Sequence, residues 1–311
     1  MNLLFIFFGF LLLVVGGEFV VRSSVAISLK FNISRFVIGM TVVAFATSLP
    51  ELIVSINAAL NDSPAIAINN VIGSNIANIA LVLSIISILS FLKVANNFYK
   101  RDWPIMFGFS ILLIVFCITD QILNQFEGVI LVISLFFFIY YSLKKSNNEL
   151  IADDVDDKLV FTTNTKIIIW LFISTLSLYF GAEFLVDGAV NFAKQINISE
   201  AVISVSIVAI GTSIPELAAS LIAIAKKEKG ISVGNLIGSN IFNIGSVLGI
   251  TAIIKPIQIA QEIIERDIIW MLFFTFLLLF MAILPKRDYL GKSKGFIMLL
   301  LYFTFITLAF M

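Results

Sequence analysis

Residues 46–52 read ATSLPEL, and residues 211–217 read GTSIPEL, 165 positions later. Sliding the chain against itself by 165 residues aligns 16–85 with 181–250 without a gap, and 31 of these 70 positions are identical. The match includes NVIGSNIANI at 70–79 and NLIGSNIFNI at 235–244. The chain is therefore an internal duplication, and an account of its fold must apply to both halves.

The composition indicates an integral membrane protein. Sixty percent of the 311 residues are hydrophobic and 13% are charged, whereas about a quarter of an average soluble domain is charged. Long apolar runs recur, and about 20 such residues cross the hydrocarbon of a bilayer. The first run lacks a basic start and a cleavage site, so we interpret it as a retained helix. We expect a multi-pass protein of the cell (inner) membrane, surrounded by lipid, with no nucleic acid and no obligate protein partner.

Hydropathy, broken at polar clusters, predicts an all-α fold of ten transmembrane helices. Residues 1–143 form a first repeat of five helices, 144–166 a polar cytoplasmic linker, and 167–311 a second repeat of five helices. The predicted helices are 2–29, 35–60, 66–92, 102–119, 124–143, 167–193, 199–225, 231–254, 267–284 and 294–311.

The placement of basic residues predicts the orientation. With the N-terminus outside, sixteen of the twenty Lys and Arg residues fall in cytoplasmic loops or the adjoining helix ends. Because cytoplasmic loops are enriched in Lys and Arg, both termini are expected outside. Trp103, Trp170 and Trp270 lie near predicted helix starts, where interfacial anchors are expected.

An odd number of helices in each repeat inverts the second half relative to the first. Inverted repeats are typical of secondary transporters, which bind their substrate near the midplane, between the repeats, and alternate access to it. A channel pore is commonly built from rings of carbonyls or acids, so an inverted repeat within one chain argues against a channel. An enzyme is not expected, because the chain has no His, a single Cys117 and no evident nucleophile–base pair.

The first half of the candidate site lies around the prolines. Steps of three and four residues place Ala44, Thr47, Ser48 and Glu51 on one helix face. A carboxylate inside a membrane helix is costly, so it should face a partner or a polar cavity. Pro50 removes a backbone N–H and disturbs the helix, which would turn carbonyl oxygens outward. In the second repeat the equivalent residues are Ala209, Thr212, Ser213, Pro215 and Glu216.

The second part of the candidate site follows the small residues of the next helices. Ser74 and Asn78 stand one turn apart, and so do Ser239 and Asn243. Small residues allow close helix packing, and these side chains also offer oxygen ligands. For Asn75 and Asn240 a structural hydrogen-bonding role is at least as plausible as direct ligation.

The available ligands select hard cations. Carboxylate, hydroxyl, amide and carbonyl oxygens, without His or Cys ligands, suit Ca²⁺ or Na⁺. Two glutamates supply a charge of −2, which one Ca²⁺ neutralises. These ions are transported substrates, and no cofactor is expected.

The pairing of T-S-x-P-E with G-S-N-I-x-N, present twice, resembles the signature of the Na⁺/Ca²⁺ exchanger family of the cation/Ca²⁺ antiporter superfamily, in its prokaryotic form. The resemblance implies exchange of several Na⁺ for one Ca²⁺. It implies that Glu51 and Glu216 bind Ca²⁺ with the backbone carbonyls of Thr47 and Thr212. It further implies that the flanking Na⁺ sites are completed by Ala44, Ser48, Ser74, Ala209, Ser213 and Ser239.

These residues do not determine which ion is exchanged for the divalent cation. Some relatives, notably the K⁺-dependent branch, have Asp where this chain has Asn243. The Asn weakens a K⁺-coupled interpretation and leaves Ca²⁺/H⁺ exchange, or another divalent substrate, as alternatives. The acidic residues 153–157 of the linker lack the spacing of an EF-hand and are interpreted as solvated. The Asn-Ile-Ser triplets at 32–34 and 197–199 are interpreted as helix caps.

Overall fold

The computed structural model describes residues 2–61, 63–94, 97–146, 159–196 and 211–309. Eleven long helical segments follow one another in this part of the chain. They are α1 (Asn2–Phe31), α2 (Arg35–Thr47), α3 (Leu49–Leu60), α4 (Pro64–Leu89), α5 (Phe98–Asp120), α6 (Gln125–Lys144), α7 (Asn164–Gln195), α8 (Ile214–Ala225), α9 (Lys229–Ile254), α10 (Ile263–Ile283) and α11 (Lys292–Ala309).

The helices confirm an all-helical membrane protein. Seven of the described helices are long and apolar enough to cross a bilayer, and α2 with α3 forms an eighth span bent by 41°. The predicted segment 199–225 is described only from residue 211 onward, and 294–311 corresponds to α11. Large apolar side chains such as Phe126, Phe137 and Phe172 are exposed on the outer surface, as lipid contact requires.

Helices α4 and α9 form the centre of the bundle. Both are buried along most of their length, and a helix that is apolar on all sides belongs inside a protein or a membrane. Each contains one π-helical turn, at Asn78–Val82 in α4 and at Asn243–Leu248 in α9. The two turns start 165 residues apart, so the duplication preserved local backbone geometry as well as sequence.

The same repeat offset relates two further π-helical turns, Phe98–Asp102 at the start of α5 and Ile263–Asp267 at the start of α10. A π-turn widens the helix by one residue and is frequent at functional sites. Only the pair in α4 and α9 begins at predicted site residues.

Helices α1 and α7 pack against each other in opposite directions. A Cβ at Gly9 would lie 2.9 Å from the Gly181 carbonyl oxygen, and one at Gly16 would lie 3.0 Å from the Ser174 carbonyl oxygen. Later residues of α1 therefore contact earlier residues of α7, so the two helices are antiparallel. The absence of side chains lets the two backbones approach closely, as small residues commonly do in membrane helix pairs.

Four two-residue strands, which the sequence did not predict, connect the halves. In the described residues, β1 (Leu92–Lys93) pairs antiparallel with β4 (Tyr289–Leu290), and β2 (Ile122–Leu123) pairs antiparallel with β3 (Ile257–Gln258). Each pair joins a loop of the first repeat to a loop of the second.

The prediction that the first Asn-Ile-Ser triplet caps a helix is confirmed within the described residues. The Ser34 side chain caps α2 by accepting a hydrogen bond from the Val37 N–H, whereas the second triplet lies outside the described residues. Glu18 pairs with Arg22, and its carboxylate also lies 2.8 Å from Lys226 Nζ. The second contact ties α1 to the end of α8.

The prediction of three interfacial tryptophans is wrong for two of them. Trp103 and Trp170 are each only 9% exposed. The Trp103 indole N–H donates to the Thr275 carbonyl at 2.8 Å, so this ring joins α5 to α10 inside the bundle. A polar N–H on a large apolar ring suits an internal hydrogen bond as well as it suits a headgroup.

We expect Gly9→Ala to destabilise the protein, because its methyl group would meet the backbone of α7. The cost of such overpacking is about 1–3 kcal/mol, seen as a lower Tm in detergent. Gly108→Ala is the matched control, because a Cβ at Gly108 meets nothing within 4 Å. Equal Tm values for the two variants would contradict this packing.

Candidate ion-binding site

The two Thr-Ser-x-Pro-Glu motifs interrupt their helices at equivalent residues. Ser48 has φ −87° and ψ 1°, and Ser213 has φ −89° and ψ 4°. The chain resumes as α3 after Ser48 and as α8 after Ser213. The prediction that Pro50 disturbs the helix is therefore confirmed.

The interruption creates a new helix start beneath each glutamate. Glu51 lies in the first turn of α3 and Glu216 in the first turn of α8. Helix N-termini carry a partial positive charge that favours a carboxylate. At the other side of the break the last carbonyls of α2, those of Ala46 and Thr47, lie at a helix end, where carbonyl oxygens have no intrahelical donor.

Both glutamates are completely buried and face the same site. Glu51 and Glu216 have no exposed surface, and each lies within electrostatic reach of the other. The hydroxyls of Thr47, Ser48 and Ser239 lie close to the Glu216 carboxylate, but none of them donates a hydrogen bond to it in the described residues. Two carboxylates from the two repeats therefore share one polar centre.

Hydroxyl pairs join the two halves around this centre. Thr47 Oγ1 lies 3.3 Å from Ser239 Oγ, and Ser74 Oγ lies 3.1 Å from Thr212 Oγ1. The two contacts are equivalent under the 165-residue repeat. Each brings together residues that are 138 or more positions apart in sequence.

Six of the twelve predicted ligand residues have buried polar side-chain atoms without a hydrogen-bond partner in the described residues. Burying an unpaired polar group costs free energy, and native structures rarely leave one without a reason. The concentration of such atoms here indicates a place for a bound cation. The atoms are both carboxylate oxygens of Glu51 and of Glu216, the hydroxyls of Ser48 and Ser213, both amide atoms of Asn78 and the amide oxygen of Asn243.

The two alanines and Asn75 differ in what the structure describes around them. Ala44 is buried beside Thr47 on the last turn of α2, and Ala209 lies outside the described residues. Asn75 has the predicted structural role, because its amide donates to the Asn240 carbonyl at 3.3 Å and accepts from the Asn243 amide at 3.1 Å. Asn243 thus keeps one oxygen free of hydrogen bonds while its nitrogen is engaged.

Two asparagines of the site were not singled out from the sequence. Asn70 Nδ2 donates to the Glu51 carbonyl at 3.2 Å, and Asn235 Nδ2 donates to the Glu216 carbonyl at 3.5 Å. Both are identical at the repeat offset and begin the quoted NVIGSN and NLIGSN stretches. That identity was the available signal, but it does not distinguish an asparagine that positions a glutamate from one that packs a helix.

The donor set suits a hard cation. Carboxylate, hydroxyl and amide oxygens are the ligands of Ca²⁺ and Na⁺ rather than of soft metals. No group of three or more His, Cys, Asp or Glu occurs in the ranges that the structure describes, so a cation held between Glu51 and Glu216 would need neutral oxygens as its other ligands.

A duplicated helical bundle with a shared acidic centre between its halves is typical of a membrane transporter. The chain belongs to the sodium/calcium exchanger protein family, which matches residues 1–144 and 166–311.

Relatives and solved structures resemble the chain over nearly its whole length. CaxA of Alkalimonas amylolytica, described as an antiporter, is 35% identical over 99% of this chain and 98% of its own. The sodium/calcium exchanger MaX1 of Methanosarcina acetivorans is 29% identical over 99% and 98%. A structure of the sodium-calcium exchanger NCX_Mj soaked with Na⁺ and Ca²⁺ superposes with a TM-score of 0.80 at 32% identity, covering 98% of this chain and 97% of that one.

We expect Glu51→Gln and Glu216→Gln to stabilise the protein when no cation is bound. Each change removes a buried charge and its repulsion with the other carboxylate. We expect the free energy of unfolding to rise by about 1 kcal/mol or more, which raises the Tm by about 2–4 °C. The measurement is thermal unfolding in detergent, in alkaline buffer with chelator and with choline replacing Na⁺.

Glu127→Gln is the matched control for this comparison. Its carboxylate caps α6 by accepting from the Asn124 N–H at 2.9 Å. Gln can keep this bond but loses the negative charge that the helix N-terminus favours, so we expect a slightly lower Tm. A lower Tm for both site variants would mean that the buried carboxylates stabilise the ion-free protein.

Proposed function

We propose that the chain exchanges Na⁺ for Ca²⁺ across the membrane by alternating access, with both ions bound between the repeats. The observation that carries the proposal is the pair of buried glutamates whose four carboxylate oxygens accept no hydrogen bond in the described residues. Their joint charge of −2 matches one Ca²⁺. Several Na⁺ ions can replace it on the same oxygens, because the two ions have similar radii.

We assign the ligands as the resemblance to the exchanger family implies. Ca²⁺ is placed between the Glu51 and Glu216 carboxylates and the carbonyl oxygens of Thr47 and Thr212. The flanking Na⁺ ions use the remaining oxygens around this centre. Those are supplied by Ala44, Ser48, Ser74, Asn78, Ala209, Ser213, Ser239 and Asn243.

The names of similar proteins favour these two ions. MaX1 is named a sodium/calcium exchanger, and the NCX_Mj structures come from crystals soaked with Na⁺, Ca²⁺ or Sr²⁺. A site of oxygen ligands only is consistent with all three ions.

The test is radioactive Ca²⁺ uptake into proteoliposomes loaded with Na⁺ and diluted into Na⁺-free buffer. We expect uptake that needs internal Na⁺ and survives removal of K⁺ and collapse of the proton gradient. Uptake driven equally by a proton gradient would instead assign the protein to Ca²⁺/H⁺ exchange. Ca²⁺ flux without any counter-ion would contradict antiport.

The same assay tests the ligand assignment. We expect Glu51→Gln and Glu216→Gln each to abolish uptake, because the amide keeps the shape and halves the charge of the site. Asp153→Asn, which removes an acidic group from the linker, is expected to leave uptake nearly unchanged. Loss of uptake in the linker variant with retention in a glutamate variant would place the site elsewhere.

We further propose ten membrane crossings, arranged as two inverted repeats with both termini outside. The two strand pairs support this count. Between β1 and β4 the chain must cross the bilayer an even number of times, and likewise between β2 and β3. Six helices, α5 to α10, lie between β1 and β4, and four helices, α6 to α9, lie between β2 and β3. Both numbers of crossings are even only if the segment that contains α8 also crosses the bilayer. The antiparallel packing of α1 and α7 agrees with inversion.

Cysteine labelling tests the orientation. In a Cys117→Ser background, we expect Ser63→Cys, between α3 and α4, to react with a membrane-impermeant thiol reagent in intact cells. Arg287→Cys, between α10 and α11, is expected to react only after lysis. Reaction of both in intact cells would contradict the ten-crossing topology.

A further inference from the structure

Asn70 and Asn235 connect each glutamate to the helix beside it. Asn70, on α4, donates from Nδ2 to the Glu51 carbonyl at 3.2 Å and to Ser55 Oγ at 3.0 Å. Its repeat partner Asn235, on α9, donates from Nδ2 to the Glu216 carbonyl at 3.5 Å and to Ser220 Oγ at 3.1 Å. The two amides therefore make the same pair of contacts in the two repeats.

These contacts fix the first turn of the glutamate helix to the central helix. One amide bonds both a backbone carbonyl at the glutamate and a hydroxyl one turn later. Such a bond in a buried place is costly to break, because its members have no water to replace it. These bonds therefore tie α3 to α4, and α8 to α9.

The repeats differ in a third contact. Thr47 Oγ1 donates to Asn235 Oδ1 at 3.1 Å, joining α2 of the first repeat to α9 of the second. Among the described residues the equivalent bond between Thr212 and Asn70 is not formed, and Thr212 contacts only Ser74. Asn235 is completely buried, whereas Asn70 is partly exposed. The protein is thus packed more tightly around Asn235 than around Asn70, and we call the end of the site at Asn235 the Asn235 side.

We propose that Asn70 and Asn235 are positioning residues whose side-chain oxygens exchange partners when access to the site switches sides. In the conformation described, the Thr47–Asn235 bond holds the Asn235 side closed. In the opposite conformation that bond opens and Thr212 donates to Asn70. The proposal rests on alternating access as part of the proposed function and adds the residues that bias it.

Thiol labelling on the Asn235 side tests the exchange without reference to the transported ion. Ser232 lies one turn before Asn235, is completely buried and has no hydrogen-bond partner in the described residues. In a Cys117→Ser background, Ser232→Cys should react slowly with a small methanethiosulfonate. Asn235→Ala should speed the reaction about fivefold, the population change that one hydrogen bond gives. Asn70→Ala should leave the rate at or below the starting value.

Two further variants separate the exchange from local loosening. Thr47→Val removes the same bond, together with the Thr47–Ser239 contact, while leaving Asn235 in place, so it should speed labelling at least to a similar extent. It also tests the bond if Asn235→Ala does not fold. Asn240→Ala removes a buried amide of the same helix whose hydrogen bond, to the Leu236 carbonyl at 2.7 Å, stays within that helix. It should not change the rate.

Equal acceleration by Asn70→Ala and Asn235→Ala would overturn the proposal, and so would an unchanged rate in Thr47→Val. A failure of Na⁺-driven Ca²⁺ uptake is a separate result. It would overturn the ion assignment, while the labelling rates would still decide whether these asparagines bias the two conformations.

Discussion

Two carboxylates buried in one place inside a membrane protein are the constraint on which the rest of the structure depends. A single charge at the bilayer centre is expensive, and a like charge beside it adds repulsion. The protein meets the cost with two helix starts beneath the glutamates, hydroxyls and amides around them, and closely packed helices that exclude lipid. A divalent cation, or several monovalent ones, can supply the missing charge.

The backbone breaks follow from the same constraint. A continuous helix would use every carbonyl internally and would present only side chains to the site. Proline and the small residues beside it end α2 and begin α3 at Ser48, and α8 begins at the equivalent place, after Ser213. The π-turns that begin at Asn78 and Asn243 act on the central helices in a comparable way. These irregularities occur at predicted site residues in both repeats, so we relate them to the site.

Much of this could be predicted from the sequence, because the relevant signals are strong. Hydropathy identifies membrane helices, a proline fixes where a helix breaks, and an uncompensated Glu51 or Glu216 inside a helix requires a partner. The strands were missed because two residues carry no periodicity. Trp103 was misplaced because a ring near a helix start packs inward as readily as toward headgroups. Asn70 was missed because its neighbours in the motif are polar too, and only coordinates show which carbonyl it reaches.

The contact between α1 and α7 also marks a depth in the bilayer. A Cβ at Gly16 would lie 2.8 Å from Leu178 Cγ, and one at Gly181 would lie 3.0 Å from Leu13 Cγ. Leu13 and Leu178 are repeat equivalents, so in the proposed inverted topology the pseudo-twofold axis passes between them and marks the midplane. About 27 Å of α1 follows Leu13 and about 26 Å of α7 follows Leu178, whereas half the hydrocarbon is about 15 Å thick. The last turns of the two helices, with Lys30 and Lys194, therefore project beyond the hydrocarbon on opposite faces of the membrane.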